Sequence, residues 1–300
     1  MTPRPLTPFE GMDIRTLIDE QASERGERPF LVWEPFEGAG RTWTYGDFAE
    51  TVRRFAAGLH IRGVAPGDRV IVHLDNCPES VIAWLGCAYA GAVAVTTNAK
   101  SSQDELAYFA DHSGAVGAIT QPRFADLLAS AAPRLAWRVV TDTDNGAPPG
   151  PVVAGFEPFT ALDGEPAALP VRPQDPWAPF AIQYTSGTTA RPKAVLWTHA
   201  NALWGARLCA QHEDLHADDI HLVHLPLFHT NAQAYSVLAS LWAGAAVVLT
   251  PRFSASRFWP ISLKHGATWT SMIPFCVKAL VGQPVPPRHS YRFWGNGICE

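Results

Sequence analysis

Apolar positions along this chain alternate between helical spacing and short continuous runs. Ile14 to Glu24 carries apolar residues three and four apart, which predicts a short helix. Phe30-Leu31-Val32-Trp33 and Thr42-Trp43-Thr44-Tyr45 read as strands on either side of a Gly38-Ala39-Gly40 turn. Thr44 and Asp47 stand where a helix cap belongs, ahead of a helix over Phe48 to Arg62. Pro66-Gly67-Asp68 then turns the chain into Arg69-Val70-Ile71-Val72-His73-Leu74. That nearly unbroken apolar run suits a strand covered on both faces of a parallel sheet. Pro78 opens a helix over Glu79 to Ala90, and Val93-Ala94-Val95 is the next strand. Ser102 with Glu105 forms a capping box for a helix through His112. Ala115 to Thr120 and Trp137 to Thr141 complete the first series as strands.

Residues 146 to 176 hold eight prolines and four glycines without a period, which reads as a connection between two lobes. A second series follows. Strands are predicted over Phe180 to Tyr184, Ala194 to Trp197, Ile220 to Leu225, Ala245 to Leu249 and Thr268 to Met272. Helices are predicted over Asn201 to Asp214, Tyr235 to Trp242, Phe258 to His265 and Pro274 to Val281. Strands alternating with helices at this spacing predict an α/β fold with right-handed crossovers.

Composition narrows the function. The 300 residues are 47% hydrophobic and 17% charged, enough to bury a sizeable core. A net charge of −5 leaves no basic surplus for a nucleic-acid backbone. The longest apolar stretch, Val81 to Val95, is broken by Gly86 and Gly91 and reads as a buried helix feeding a strand, not as a transmembrane segment. No apolar core of a signal peptide follows Met1. Cys77, Cys87, Cys209, Cys276 and Cys299 are widely spaced and odd in number, which points to reduced thiols and a cytoplasmic setting.

The sharpest feature is Thr185-Ser186-Gly187-Thr188-Thr189-Ala190-Arg191-Pro192-Lys193, lying between two predicted strands. Four hydroxyls, a glycine and two cations make a cradle for a polyanion. Glycine lets backbone N–H groups approach the ligand, hydroxyls donate to phosphate oxygens, and Lys193 is a mobile point charge. An ordinary Ser/Thr-rich connection has the same composition. The segment is not a Walker loop, because Lys193 leads into the β-branched and aromatic Val195 to Trp197 instead of a helix. Nor does any G-x-G-x-x-G follow a predicted strand.

Tyr184 to Lys193 closely resembles the phosphate-loop signature of the adenylate-forming enzymes, the superfamily of acyl-CoA synthetases, firefly luciferase and peptide-synthetase adenylation domains. Gly67-Asp68-Arg69-Val70, Asn76-Cys77-Pro78-Glu79, Ala83-Trp84-Leu85-Gly86, Ala90-Gly91-Ala92-Val93, Asn98 and Glu105-Leu106-Ala107-Tyr108 are similar to that family's N-terminal lobe, in order. Leu225-Pro226-Leu227-Phe228-His229-Thr230-Asn231 resembles its next motif. Phe228-His229, Gln233, Phe258-Trp259 and Pro274 look closest to acyl-CoA synthetases near the carnitine- or crotonobetaine-CoA ligases. The departures are Ala190 and Ala194, where the family usually has glycine, and the lack of its Tyr-Gly-x-Thr-Glu motif.

The resemblance implies a two-lobed, layered αβαβα large domain over 13–300, incomplete at its C-terminal end, with lobes near 13–145 and 177–300 joined by the stretch 146–176, and a C-terminal domain further on. It implies a ligase that uses ATP with Mg²⁺ and CoA as co-substrate on a small carboxylic acid, with no nucleic-acid partner. On this basis Thr185, Ser186, Gly187, Thr188 and Thr189 are expected to hold the β- and γ-phosphates. Lys193 and His229 are the expected catalytic side chains, His229 lying near the substrate carboxylate and α-phosphate. Trp204, Asn231 and Gln233 are candidates for the acyl pocket, and Gly295, Asn296 and Gly297 for the adenine and acyl site. Packing and loop roles are the competing readings for Trp204, Asn231, Gln233 and Asn296.

Other readings compete. His212-Glu213-Asp214-Leu215-His216 matches the zinc-protease pattern H-E-x-x-H, with His221, His224 and His229 as possible third ligands. Against it, Ala217-Asp218-Asp219 predicts that the helix stops there. A non-catalytic nucleotide- or acyl-binding module is a second alternative. Amino-acid adenylation is a third, weakened by the absence of an evident acidic residue near His229 to grip an amino group.

Overall fold

The computed structural model describes residues 7–142, 153–185 and 191–295. Two sheets form its frame. The first has seven strands: β3 (Arg69–His73), β4 (Val93–Thr96), β5 (Gly117–Thr120), β6 (Trp137–Val140), β7 (Glu157–Pro158), β8 (Pro179–Tyr184) and β9 (Ala194–Thr198). Their order is β7-β6-β5-β3-β4-β8-β9, all parallel except the antiparallel edge pair β8–β9. The second sheet contains β1 (Pro29–Trp33), β2 (Arg41–Thr44), β10 (Ile220–Val223), β11 (Ala246–Leu249), β12 (Trp269–Ser271) and β13 (Phe293–Gly295). It runs β13-β12-β10-β11-β1-β2, parallel apart from the β1–β2 hairpin.

The layering follows from the two-residue repeat of a strand. Val70 and Val72 of β3 point into one apolar cluster and Ile71 into another. Ala94 and Val95, Ile119 and Ala118, and Val139 and Val140 divide the same way. Helices Gln103–Ser113 and Ala125–Ala131 cover the outer face through Leu106 and Leu128. The inner face shares its cluster with helices Ile14–Arg25, Tyr45–Ile61, Pro78–Ala90 and His199–His212, and with β1, β10 and β11. The helices between the sheets are therefore apolar on more than one side. Pro78–Ala90 is the extreme case, buried at Pro78 and at every residue from Ser80 to Ala88.

The predicted caps form. Thr44 accepts from the Asp47 N–H and Ser102 from that of Glu105, each closed by the reciprocal carboxylate bond. Two elements depart from expectation. The helix Ala125–Ala131 has too little polar contrast to stand out in an alanine-rich stretch. The helix expected over Tyr235 to Trp242 begins earlier, as a π-wound turn over Asn231–Leu238 that runs into Ala239–Ala243.

The sheets do not divide the chain at the Pro/Gly-rich stretch, so lobes of 13–145 and 177–300 do not correspond to them. β1 and β2, from the first part of the chain, complete the second sheet, while β8 and β9, beyond the stretch, pair with β4 of the first. The described part of the stretch is also more than a tether. It adds β7 to the first sheet and lies across the helix Tyr45–Ile61. A Cβ at Gly58 would come within 2.1 Å of the Leu162 carbonyl oxygen, so only glycine allows this crossing. Phe55 stacks on Phe159 beside it, and Arg62 pairs with Glu157.

Asn76, just after β3, ties the sheets through polar contacts. Its amide nitrogen donates to the carbonyls of Leu225 (2.9 Å) and Thr250 (3.2 Å), and its oxygen accepts from the Leu227 N–H at 2.8 Å. All three partners lie in loops following β10 and β11, and Asn76 is buried. Asn76→Ala would leave these backbone groups unpaired in the interior. The expected cost is about 3 kcal/mol of unfolding free energy, read from urea titrations. An unchanged midpoint would show that the joint is held by apolar contact alone.

Candidate functional site

The segment expected to hold phosphate leaves the carboxyl end of β8 and returns as β9. Gln183 lies opposite Val195 and Tyr184 opposite Ala194. The ladder continues one step further: the Thr185 N–H donates to the Lys193 carbonyl at 3.0 Å, and the Lys193 N–H donates to Thr185 Oγ1 at 3.2 Å. A closed hairpin therefore presents Thr185 and Lys193 side by side, both exposed. Ser186, Gly187, Thr188, Thr189 and Ala190 lie outside the described residues. Ala194 is an exposed member of the ladder, so its methyl group points away from the sheet interior.

His229 reaches the same end of the fold from β10, through Leu225 to Phe228. Its N–H donates to the Pro226 carbonyl at 3.0 Å, and its ring lies 4.3 Å from that of Phe228. The residue is exposed, yet its neighbours desolvate the imidazole and hold its pKa below the usual value. Near pH 7 it is neutral, with one nitrogen able to donate and the other to accept.

Gln183 joins these two segments. Thr230 Oγ1 donates to its side-chain oxygen at 2.9 Å, and its amide donates to the Phe228 carbonyl at 3.4 Å and to Gln233 Oε1 at 2.5 Å. Gln233 in turn donates to the Leu227 carbonyl at 2.7 Å and to Thr96 Oγ1 at 3.3 Å. The end of β8, the end of β4 and the His229 segment thus meet at the carboxyl ends of parallel strands, where open α/β sheets bind ligands. The signal of this joint in the sequence is a glutamine inside the apolar run Phe180–Tyr184.

The remaining candidates are placed differently from one another. Gln233 is fully buried with its oxygen and both N–H groups engaged, so it holds the loops together and does not present its amide to a pocket. A buried amide left free would be costly, which is why its valences are filled. Trp204 packs edge-on against Phe9 at 5.2 Å, with Arg207 over its ring. These contacts account for the ring by packing, the competing reading of this residue. Asn231 is half-buried, and its oxygen accepts from Ser271 Oγ at 2.6 Å, at the carboxyl end of β12. Gly295 ends β13. A Cβ there would meet Glu213 Oε2 at 2.9 Å and the Trp269 ring at 3.0 Å, which accounts for the glycine by packing. Asn296 and Gly297 lie outside the described residues.

The family model described as AMP-binding enzyme matches residues 18–293. The chain belongs to the AMP-binding enzyme family. It is similar to the crotonobetaine/carnitine–CoA ligase of Salmonella typhimurium (strain LT2), at 32% identity over 290 residues, 92% of this chain and 54% of that protein. The ligase of the same name from Escherichia coli O139:H28 is 32% identical over 280 residues, 91% of this chain and 53% of the relative. The chain spans about half the length of the curated relatives it matches. Among solved structures, apo MbtA of Mycobacterium smegmatis superposes with a TM-score of 0.83 at 26% identity, covering 98% of this chain and 55% of that one. A benzoate CoA ligase from Burkholderia xenovorans LB400 shares the fold at TM-score 0.79 and 22% identity, covering 94% and 55% of the two chains.

The zinc-protease pattern is not built in this chain. The helix ends at His212, Glu213 caps it, and Asp214 takes a left-handed φ of 49°. His212 and His216 therefore do not stand one turn apart on a helix. Glu213 is buried and accepts from Trp269 Nε1 at 3.3 Å. Among the described residues no group of three or more His, Cys, Asp or Glu side chains could hold a metal ion.

His221 and His224 are buried, so neither is a free ligand. His221 lies against Trp269, and its Nδ1 is 3.3 Å from Ser240 Oγ. His224 lies among Phe253 and Phe258, with neither ring nitrogen hydrogen-bonded among the described residues. Burial pushes the His73, His199 and His224 imidazoles down to about 4, and that of His221 well below its usual value. All are neutral in the native state. Between pH 6.5 and about 4 the unfolded chain binds more protons than the folded one, so stability falls as pH falls through that window. Urea midpoints measured from pH 7.5 to pH 4.5 should decline. His224→Phe, which keeps a ring between Phe253 and Phe258, should flatten the decline; an equal slope in the variant would contradict this account.

Proposed function

We propose that this chain carries the ATP-binding and carboxylate-activating face of an ATP-dependent carboxylic acid–CoA ligase. The observation supporting this most directly is the hairpin closed between Thr185 and Lys193, held beside His229 through Gln183. In the first step the acid's carboxylate oxygen attacks the α-phosphorus of ATP, and pyrophosphate leaves as the acyl-adenylate forms. In the second, the CoA thiolate attacks the acyl carbon and AMP departs with the bonding electron pair.

The chain's own groups serve the first step. Thr185, with Ser186, Gly187, Thr188 and Thr189, donates to the β- and γ-phosphate oxygens, and the Lys193 ammonium offsets charge gathering on the departing pyrophosphate. Neutral His229 lies where it can hydrogen-bond the carboxylate or the α-phosphate. Asn231 borders the acyl side, and Gly295, Asn296 and Gly297 the adenine side. Mg²⁺ bound to the triphosphate would add charge neutralisation beside Lys193 and the loop's hydroxyl donors. Residues 13–300 are assigned to the large domain, of which they are a part. The relatives named for crotonobetaine and carnitine favour a small, polar acid as substrate. A cytoplasmic setting fits the free thiols of Cys77, Cys87, Cys209 and Cys276, and no described helix is long and apolar enough to cross a membrane.

The test is ATP-dependent pyrophosphate release over a panel of acids that includes crotonobetaine, carnitine and benzoate. Lys193→Ala and Thr188→Ala should each slow release on the order of 10²-fold without changing the urea midpoint, as expected for loss of one preorganised donor. Unchanged rates in both variants would remove the phosphate-binding role from the hairpin. Nucleotide binding without turnover of any acid would favour the non-catalytic module.

A further inference from the structure

We propose that Tyr108 is a positioning residue for the phosphate loop, fixing its returning stem against the helix Gln103–Ser113; this rests on the ligase reading above. β9 is the edge strand of its sheet, with Val195 and Leu196 exposed. Among the described residues the ladder reaches the Thr185–Lys193 step, and donors carried beyond it stay preorganised only where the stems have an anchor.

The helix Gln103–Ser113 provides that anchor on both stems. On the returning stem, Tyr108 Oη donates to the Pro192 carbonyl at 3.2 Å, and the Arg191 guanidinium lies 5.4 Å from the centre of the Tyr108 ring. On the outgoing stem, the Tyr184 ring stacks on Phe109 at 4.1 Å, and its hydroxyl is 2.9 Å from His112 Nδ1. Tyr108 and His112 are one turn apart and share a helix face, and the Tyr108 and Tyr184 rings meet edge-on at 5.9 Å. An open groove of about 980 Å³ is lined by Tyr108, Arg191 and Pro192 among others. Ring and hydroxyl act on different atoms of the stem, and substitutions can separate them.

Tyr108→Phe keeps the ring under Arg191 and loses the bond to Pro192, whereas Tyr108→Leu loses both. For Tyr108→Leu the KM for ATP should rise at least about fivefold, the weight of one ordinary hydrogen bond, with the KM for the acid unchanged. Hydrogen exchange at the Thr185 amide should accelerate by a similar factor while amides of β3 stay as protected as before. Tyr108→Phe should show a smaller change of the same kind. Should Tyr108→Leu fail to fold, Tyr108→Phe decides the matter, since it removes a single hydroxyl. Equal rises in both KM values, or unaltered exchange at Thr185 in a folded variant, overturn the proposal. If the unsubstituted protein activates no acid with ATP, the ligase reading fails, and the exchange measurement still decides whether Tyr108 anchors the stem.

Discussion

The arrangement depends on a buried polar joint between the two sheets. Apolar burial holds the helices between them but specifies little about how one sheet is registered on the other, because the hydrophobic effect has no direction. Hydrogen bonds do have direction. Asn76 links the end of β3 to the loops after β10 and β11, and Gln183 and Gln233 link β8 and β4 to the segment after β10. Each side chain is buried and satisfied at both its oxygen and its nitrogen. Sliding one sheet over the other would break several such bonds together, which makes the relative placement of the hairpin and His229 a property of the core.

This explains how one end of the fold can gather groups from distant parts of the chain. Thr185 and Lys193 arrive by a hairpin, His229 by an irregular loop, and Asn231 by a π-wound turn beside β12. None would hold position by its own local structure. On the proposed ligase reading, these pieces would serve the activation of an acid by ATP through hydroxyl donors, a mobile cation and a hydrogen-bonding imidazole.

Much of the fold was legible in the sequence because it is written in local terms. The Thr44 and Ser102 caps, the strand β3 and the helix opened by Pro78 follow from side-chain chemistry over a few residues. What was not legible depends on partners far along the chain. Gln233 was expected beside the acyl group, and its actual partners Thr96 and Gln183 are 137 and 50 residues away. Trp204 was a pocket candidate, and its ring contact with Phe9 comes from the start of the described chain. The zinc pattern failed for a local reason that spacing conceals: a helix that stops at His212 cannot keep a four-residue repeat on one face. The Pro/Gly-rich stretch was read as a tether because its composition lacks period, and it became a strap because Gly58 leaves room for it.

The exchange of strands between the two sheets bears on how the molecule comes into being. During synthesis β1 and β2 emerge early and must wait for β11, more than 200 residues later, before their sheet has a neighbour. Likewise β4 keeps an unpaired side until β8 appears. Neither sheet can be finished from the strands before residue 150 alone, so open edges stand exposed to foreign pairing until β8 and β11 have been made. Interleaving of this kind couples the two sheets into one cooperative unit and makes the nascent stage the period of greatest hazard.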